Sequence, residues 1–205
     1  MKHFFMAIAL CMGLQIDAQR ILPERQRAEV VDNILKYRFD NLLPSLMDET
    51  GFDMWVLISR EYNEDPVMRT MLPSSWLNAR RRTILVFYRN KEKNTIEKLA
   101  VARYDVGENI TSAWDKEKQP DQWARLVEII AERNPNKIGI NTSENFGIAD
   151  GLVKTDYEEL LEALPAAMEA KLVSAEKLAV AWIETRTAKE MELYLTLVQI
   201  THDII

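Results

Sequence analysis

Residues Met54–Ser59 read MWVLIS, six positions without a charge and without the polar alternation of a strand that has one face in water. Such a run fits a strand buried on both faces of a sheet. The signature returns at Thr83–Tyr88, TILVFY. KEKNT then turns the chain into Ile96–Tyr104, which reads as a third strand and the antiparallel hairpin partner of the second. Lys137–Ile140 reads as a short strand, and Leu172–Val173 as a brief extended piece.

Helices fill the intervals. Val30, Val31, Ile34, Leu35, Leu42, Leu43, Leu46 and Met47 recur at helical spacing, with Pro44 kinking or restarting the helix and Gly51 closing it. The segment Arg60–Ser75 is charged and carries two prolines, so it reads as a loop with one helical turn. Pro120-Asp121 opens a helix whose Trp123, Leu126, Val127 and Ile130 share a face, and Asn134-Pro135 stops it. Thr155 and Glu158 suggest a capping box for a helix through Leu164, and Ser174 a cap for one through Trp182. The order predicts an α/β fold: a mixed, mostly parallel sheet flanked by helices, with one antiparallel insertion.

Bulk properties agree with one domain. The chain has 205 residues, 47% hydrophobic and 28% charged, with a net charge of -6, which suits one sizeable core and disfavours nucleic acid as a partner. Its densest positive cluster, Ala79-Arg80-Arg81-Arg82, leads into the second apolar run and reads as a solvated strand entry.

At the amino end, Lys2 and His3 precede FFMAIALCMGL and then IDAQ, a leader pattern with cleavage after Ala18. Export to a periplasm or beyond follows. The run is too short to span a bilayer, and Leu10 before Cys11 argues against a lipid anchor, so no membrane anchor is expected. Cleavage would remove the only cysteine, Cys11.

Catalytic patterns are missing. Beyond the leader the one histidine is His202, and its neighbour Asp203 points elsewhere on a helix. Glu61, Glu64 and Asp65 lack the rhythm of a calcium loop and read as a solvated acidic loop. No G-x-S-x-G, Walker or dinucleotide pattern occurs. No catalytic residue, metal ligand or cofactor is assigned to this segment. One site-like loop follows the first buried strand, where Arg60 and Tyr62 are candidate substrate-binding residues; the competing reading is a loop tied down by its own salt bridges. Trp76 and Trp114 fall in loops and are candidates for an interface.

The closing stretch has a strong start. Thr187 and Glu190 form a T-x-x-E capping box. Beyond it Met191, Tyr194, Leu195, Val198 and Ile205 cluster on one helical face, and Leu193, Leu197, Ile200 and Ile204 on a second. A helix apolar most of the way round expects burial on several sides. The expectation is therefore three parts: a leader over 1–18, an α/β domain over 19–183, and over 184–205 a linker with the first helix of a further domain.

Taken in order, DMWVLISREYNEDP, RRRTILVFYRN, KIGINTSENFGIADGL and KLVSAEKLAVAWIETRTAKEMELY resemble the N-terminal region of secreted bacterial Xaa-Pro aminopeptidase-like proteins, of the creatinase/prolidase/aminopeptidase P family of pita-bread metallopeptidases. The resemblance runs from about Asp32 onward, with Arg186, Lys189 and Glu190 at the positions that lead into the first catalytic helix. It implies a creatinase-type, ribonuclease-H-like N-terminal domain and a C-terminal catalytic domain with two divalent metal ions (manganese, cobalt or zinc). Two aspartates, one histidine and two glutamates would bind them, none mapping onto this sequence. The implied parent reaction is hydrolysis of Xaa-Pro bonds in proline-containing peptides, in a homodimer whose N-domains shape the substrate cleft or subunit interface. The alternative is a stand-alone extracytoplasmic domain that binds a peptide or protein without catalysis.

Overall fold

The computed structural model of the protein describes residues 22–205. The expected leader over 1–18 and the expected cleavage after Ala18 lie outside them. The chain enters through helix α1 (Glu24–Tyr37), widens into a π-turn at Arg38–Leu42, and continues as α2 (Leu43–Thr50). Pro44 has no N–H to donate to the carbonyl of Asp40, and the helix widens just where that bond is lost. Gly51, at φ 72°, then ends α2 in the left-handed cap that a side chain would disfavour.

Strand β1 (Met54–Arg60) is followed by the one-turn helix α3 (Pro66–Arg69), then β2 (Arg82–Asn90), β3 (Thr95–Val101) and the two-residue β4 (Thr111–Ser112). Helix α4 (Gln122–Arg133) crosses to β5 (Ile138–Ile140), and α5 (Lys154–Ala163) with the short α6 (Ala166–Glu169) crosses to β6 (Leu172–Ser174). Helices α7 (Glu176–Glu184) and α8 (Ala188–Ile204) complete it.

The six strands form one sheet in the order β4-β3-β2-β1-β5-β6. Strand β2 runs antiparallel to both neighbours, from Met54 opposite Tyr88 to Arg60 opposite Arg82 on one side and from Ile84 opposite Val101 to Asn90 opposite Thr95 on the other. The remaining pairings, β1 with β5, β5 with β6 and β3 with β4, are parallel, so β2 alone runs against the other five strands. The fold is thus the mixed, mostly parallel α/β sheet that the sequence predicts, with its second strand reversed.

Both faces of the sheet are packed. Trp55 and Leu57 join Phe39, Leu43, Leu85, Phe87 and Trp182 on the side of α1, α2 and α7. Met54, Val56 and Ile58 join Ile84, Val86, Leu126, Ile130 and Leu160 on the side of α4 and α5. Alternate residues of MWVLIS therefore serve two different cores, which explains why the strand has no polar face.

Two local expectations are corrected. Thr155 and Glu158 form no capping box: α5 begins two residues earlier than that cap requires, with Val153 at its N-cap and no side-chain cap, which places Thr155 inside the first turn. The expected Ser174 cap is also displaced: the N-cap of α7 is Ala175, without a side-chain cap, and the helix runs beyond Trp182 to Glu184, while Ser174, at the end of β6, accepts the Glu176 N–H at its Oγ, at 3.2 Å. Among the described residues no helix is long and apolar enough to cross a membrane.

Candidate functional site

Arg60 closes β1, and its side chain is committed. Its Nε donates to both carboxylate oxygens of Asp156, at 2.9 and 3.0 Å, and its Nη2 reaches Glu159 Oε1 at 3.1 Å. Directly opposite in the register, Arg82 approaches the same two acids, with Nε 3.0 Å from Asp156 Oδ1 and Nη2 on Glu159 Oε2. The Nε contact is an ion pair without hydrogen-bond alignment. Trp123 Nε1 also donates to Glu159 Oε2, at 2.9 Å, and the Arg82 guanidinium lies 4.6 Å above the Trp123 ring. The Trp123 indole bond and the two arginines hold the Glu159 carboxyl below its ordinary value. Two cations and two carboxylates leave the cluster near neutrality. It ties the sheet to the first turn of α5, and Asp156 at its centre is fully buried.

Tyr62 stands two residues beyond Arg60 with its side chain in solvent and its backbone at φ 70°. The structure does not bring the Tyr62 phenol and the Arg60 guanidinium together on a common partner among the described residues. The loop is held by its own bonds: Glu64 Oε1 accepts from the Tyr62 N–H at 3.0 Å, and Glu61 Oε2 from the Arg81 N–H at 3.1 Å.

The solvated acidic loop is corrected at one position. Asp65 is fully buried; its Oδ1 accepts from the amides of Val67 and Met68, capping α3, and its Oδ2 accepts from Asn141 Nδ2 at 2.8 Å. Asn141 Oδ1 in turn accepts from Trp55 Nε1, at 2.8 Å. Burial pushes the Asp65 carboxyl up from its ordinary value, against the pull of these donors. Its three acids therefore turn in different directions. Among the described residues no group of three His, Cys, Asp or Glu side chains could hold a metal ion.

The most distinctive surface is α8. Thr187 and Glu190 form the predicted capping box, with Glu190 Oε2 accepting the Thr187 N–H at 2.7 Å and Thr187 Oγ1 accepting the Glu190 N–H at 3.3 Å. The same glutamate is clamped by Arg38, whose Nη1 lies 2.9 Å from both carboxylate oxygens and 2.8 Å from the Thr185 carbonyl. Arg38 Nη2 donates to the Trp182 carbonyl, and the guanidinium sits 4.3 Å above the Trp182 ring. Burial works to raise the Glu190 carboxyl, but the Thr187 amide and the Arg38 charge hold it below its ordinary value. Beyond this anchor α8 buries no residue. Met191, Leu193, Tyr194, Leu195, Leu197, Val198 and Ile204 are all exposed, Leu195 to 78%.

Sequence reasoning missed Arg38, Arg82, Asp156 and Glu159. A signal existed for two of them. Arg38 falls on the apolar stripe of Ile34, Leu35 and Leu42, and Asp156 on the stripe of Leu160 and Leu164. A charge at a core position expects a buried partner.

No protein-family model matches the chain, and no curated protein matches it. Among solved structures it is similar to an Xaa-Pro dipeptidase from Bacillus anthracis, with 16% identity over 83% of this chain and a TM-score of 0.41. The match spans 39% of that dipeptidase.

Proposed function

We propose that this chain is the N-terminal, non-catalytic portion of an Xaa-Pro aminopeptidase-like metallopeptidase, exported to the periplasm or beyond. In this reading residues 184–205 are a linker and the first helix of the C-terminal catalytic domain, and residues 19–183 shape the substrate cleft or the subunit interface of a homodimer. The observation that carries the proposal is α8: a firmly started, charge-anchored helix that leaves apolar side chains in water on more than one face. Contiguous apolar surface of this kind marks an interaction site. Covering even four of these half-exposed side chains would contribute roughly 3–6 kcal/mol, a useful share of an interdomain interface. The resemblance in sequence around Arg186, Lys189 and Glu190 supplies the identity of the covering domain.

The two divalent metal ions, with their aspartate, histidine and glutamate ligands, belong in this reading to that second domain, and so does hydrolysis of proline-containing peptides. The residues described here would orient and enclose. The test lies in the coding sequence after Ile205 and in the activity of both lengths of chain. Five downstream ligands, with manganese-, cobalt- or zinc-dependent Xaa-Pro hydrolysis by the longer chain and none by residues 1–205, would support the proposal. Metal-dependent turnover by residues 1–205 that scales with pure protein would overturn it, as would a native stop codon directly after Ile205.

A further inference from the structure

At the end of the sheet where β1 and β3 finish and β2 begins, a hollow of about 630 Å³ opens beside the ion cluster of Arg60 and Arg82. Three features noted separately in the sequence meet there: the arginine run, Trp76 and Trp114. The floor is fixed by Gln122, whose Nε2 donates to the carbonyls of Val101, at 2.6 Å, and Arg82, at 3.1 Å. Trp114 is held from behind by its Nε1 bond to the Gln119 carbonyl, at 2.7 Å.

The charge balance of the hollow opposes that of the chain. Arg80, Arg81, Arg103 and Lys116 line it and have no carboxylate partner among the described residues, while Arg82 is taken up by Asp156 and Glu159. The only acid in the lining is Glu61, which spends one oxygen on the backbone N–H of Arg81. In a protein of net charge -6 this is a local concentration of free cations. Arg80 is further placed by stacking 4.7 Å above the Trp76 ring. Arg81, in the lining, holds φ 52°, a strained non-glycine backbone, and Tyr62, next in the chain to the lining residue Glu61, holds φ 70°. Strain of this sort persists where surrounding bonds enforce it and gathers at binding sites; here the Glu61 N–H to Arg81 carbonyl bond, at 2.6 Å, joins the two loops.

We propose that the hollow binds a small aromatic oxyanion. Its carboxylate or phosphate group would be received by Arg81 and Arg103, with Arg80 and Lys116 adding charge, and its flat ring would lie against Trp114 and Tyr104. Arginine forks suit both oxyanions, and the aromatic walls add stacking that an inorganic ion cannot use. The volume is that of a small-molecule pocket. An extended polyanion such as nucleic acid would need a longer track of positive charge, which a chain of net charge -6 disfavours.

Calorimetric titration of the full chain with phenyl phosphate, benzoate and inorganic phosphate tests this. Saturable binding of phenyl phosphate or benzoate, tighter than that of inorganic phosphate, is expected, and whichever organic probe wins identifies the oxyanion. Arg103→Glu, at an exposed residue, should weaken that binding by about tenfold, the scale of a lost charge-assisted bond. Arg27→Glu changes the net charge equally on the exposed face of α1 and should leave the affinity unchanged. Circular dichroism of both variants would verify their folding. No saturable heat at millimolar probe, equal affinity for inorganic phosphate, or equal losses from the two variants would each overturn the proposal.

Discussion

Trp182→Ala will destabilise the protein by about 3–5 kcal/mol, the cost of emptying a buried aromatic position. For a domain of this size the thermal midpoint should fall by roughly 6–20 °C. Trp182 is fully buried on α7, with its ring stacked on Phe39 at 5.6 Å and its Nε1 donating to Thr70 Oγ1 at 2.8 Å. Phe39 lies in turn 5.4 Å from Phe87 on β2, so the indole joins α7, the π-turn and the sheet. Truncation removes the ring, leaves the Thr70 hydroxyl without its donor, and takes away the surface over which Arg38 lies. Trp182→Phe should recover most of the packing and lose the hydrogen bond, at a cost of about 1–2 kcal/mol. Thermal unfolding of the three proteins checks the order. A Trp182→Ala protein as stable as the parent would contradict the core described here.

The second large effect belongs to Asp156→Ala. Removing one partner from a buried ion pair typically costs 3–5 kcal/mol because the other charge stays behind. Here about 3 kcal/mol is expected, at the low end, because Arg60 is 37% exposed and can find water whereas Arg82 is 21% exposed. Glu159→Gln serves as the contrast: this carboxylate is itself 36% exposed, and the loss should be no more than about 1 kcal/mol. Urea denaturation of the two variants measures the difference. Equal losses would mean that the cluster acts through surface charge alone and that Asp156 is not its centre.

Much of this architecture is legible in the sequence because single residues carry it. MWVLIS has no polar face because two cores claim its alternate residues, Trp55 and Leu57 on one side and Met54, Val56 and Ile58 on the other. Pro44 and Gly51 announce a break and an end by backbone chemistry alone, and both occur where expected. The capping box is less dependable. T-x-x-E is genuine at Thr187, whose backbone is extended at φ -84° and ψ 162°, but at Thr155 the extended residue is Val153 and the threonine is already helical. A local pattern does not reveal which residue turns the chain.

What the sequence hides are the groupings that need the fold. Arg60 and Asp156 are 96 residues apart, and nothing near either names the other. Arg60 is a candidate substrate contact because it follows a buried strand, and only the fold shows that its guanidinium also pairs with Asp156 and Glu159. The same distance problem conceals the cationic hollow, whose arginines and tryptophans are unremarkable where they stand in the chain.

The central claim is that α8 lies outside this core and exists to be covered. Trp182 fills the interior and Arg38 grips the carbonyls of Trp182 and Thr185, so a cut that respects the domain falls after Arg186. The decisive measurement is thermal unfolding of the chain ended there, compared with the full 205 residues, together with binding of an apolar dye. Removing Glu190 takes one charged bond from Arg38, at a cost of up to about 3 kcal/mol. The account predicts one cooperative transition, lowered by less than about 10 °C, and weaker dye binding. A shortened chain with no cooperative transition would show that α8 belongs to this core, and the account would be wrong.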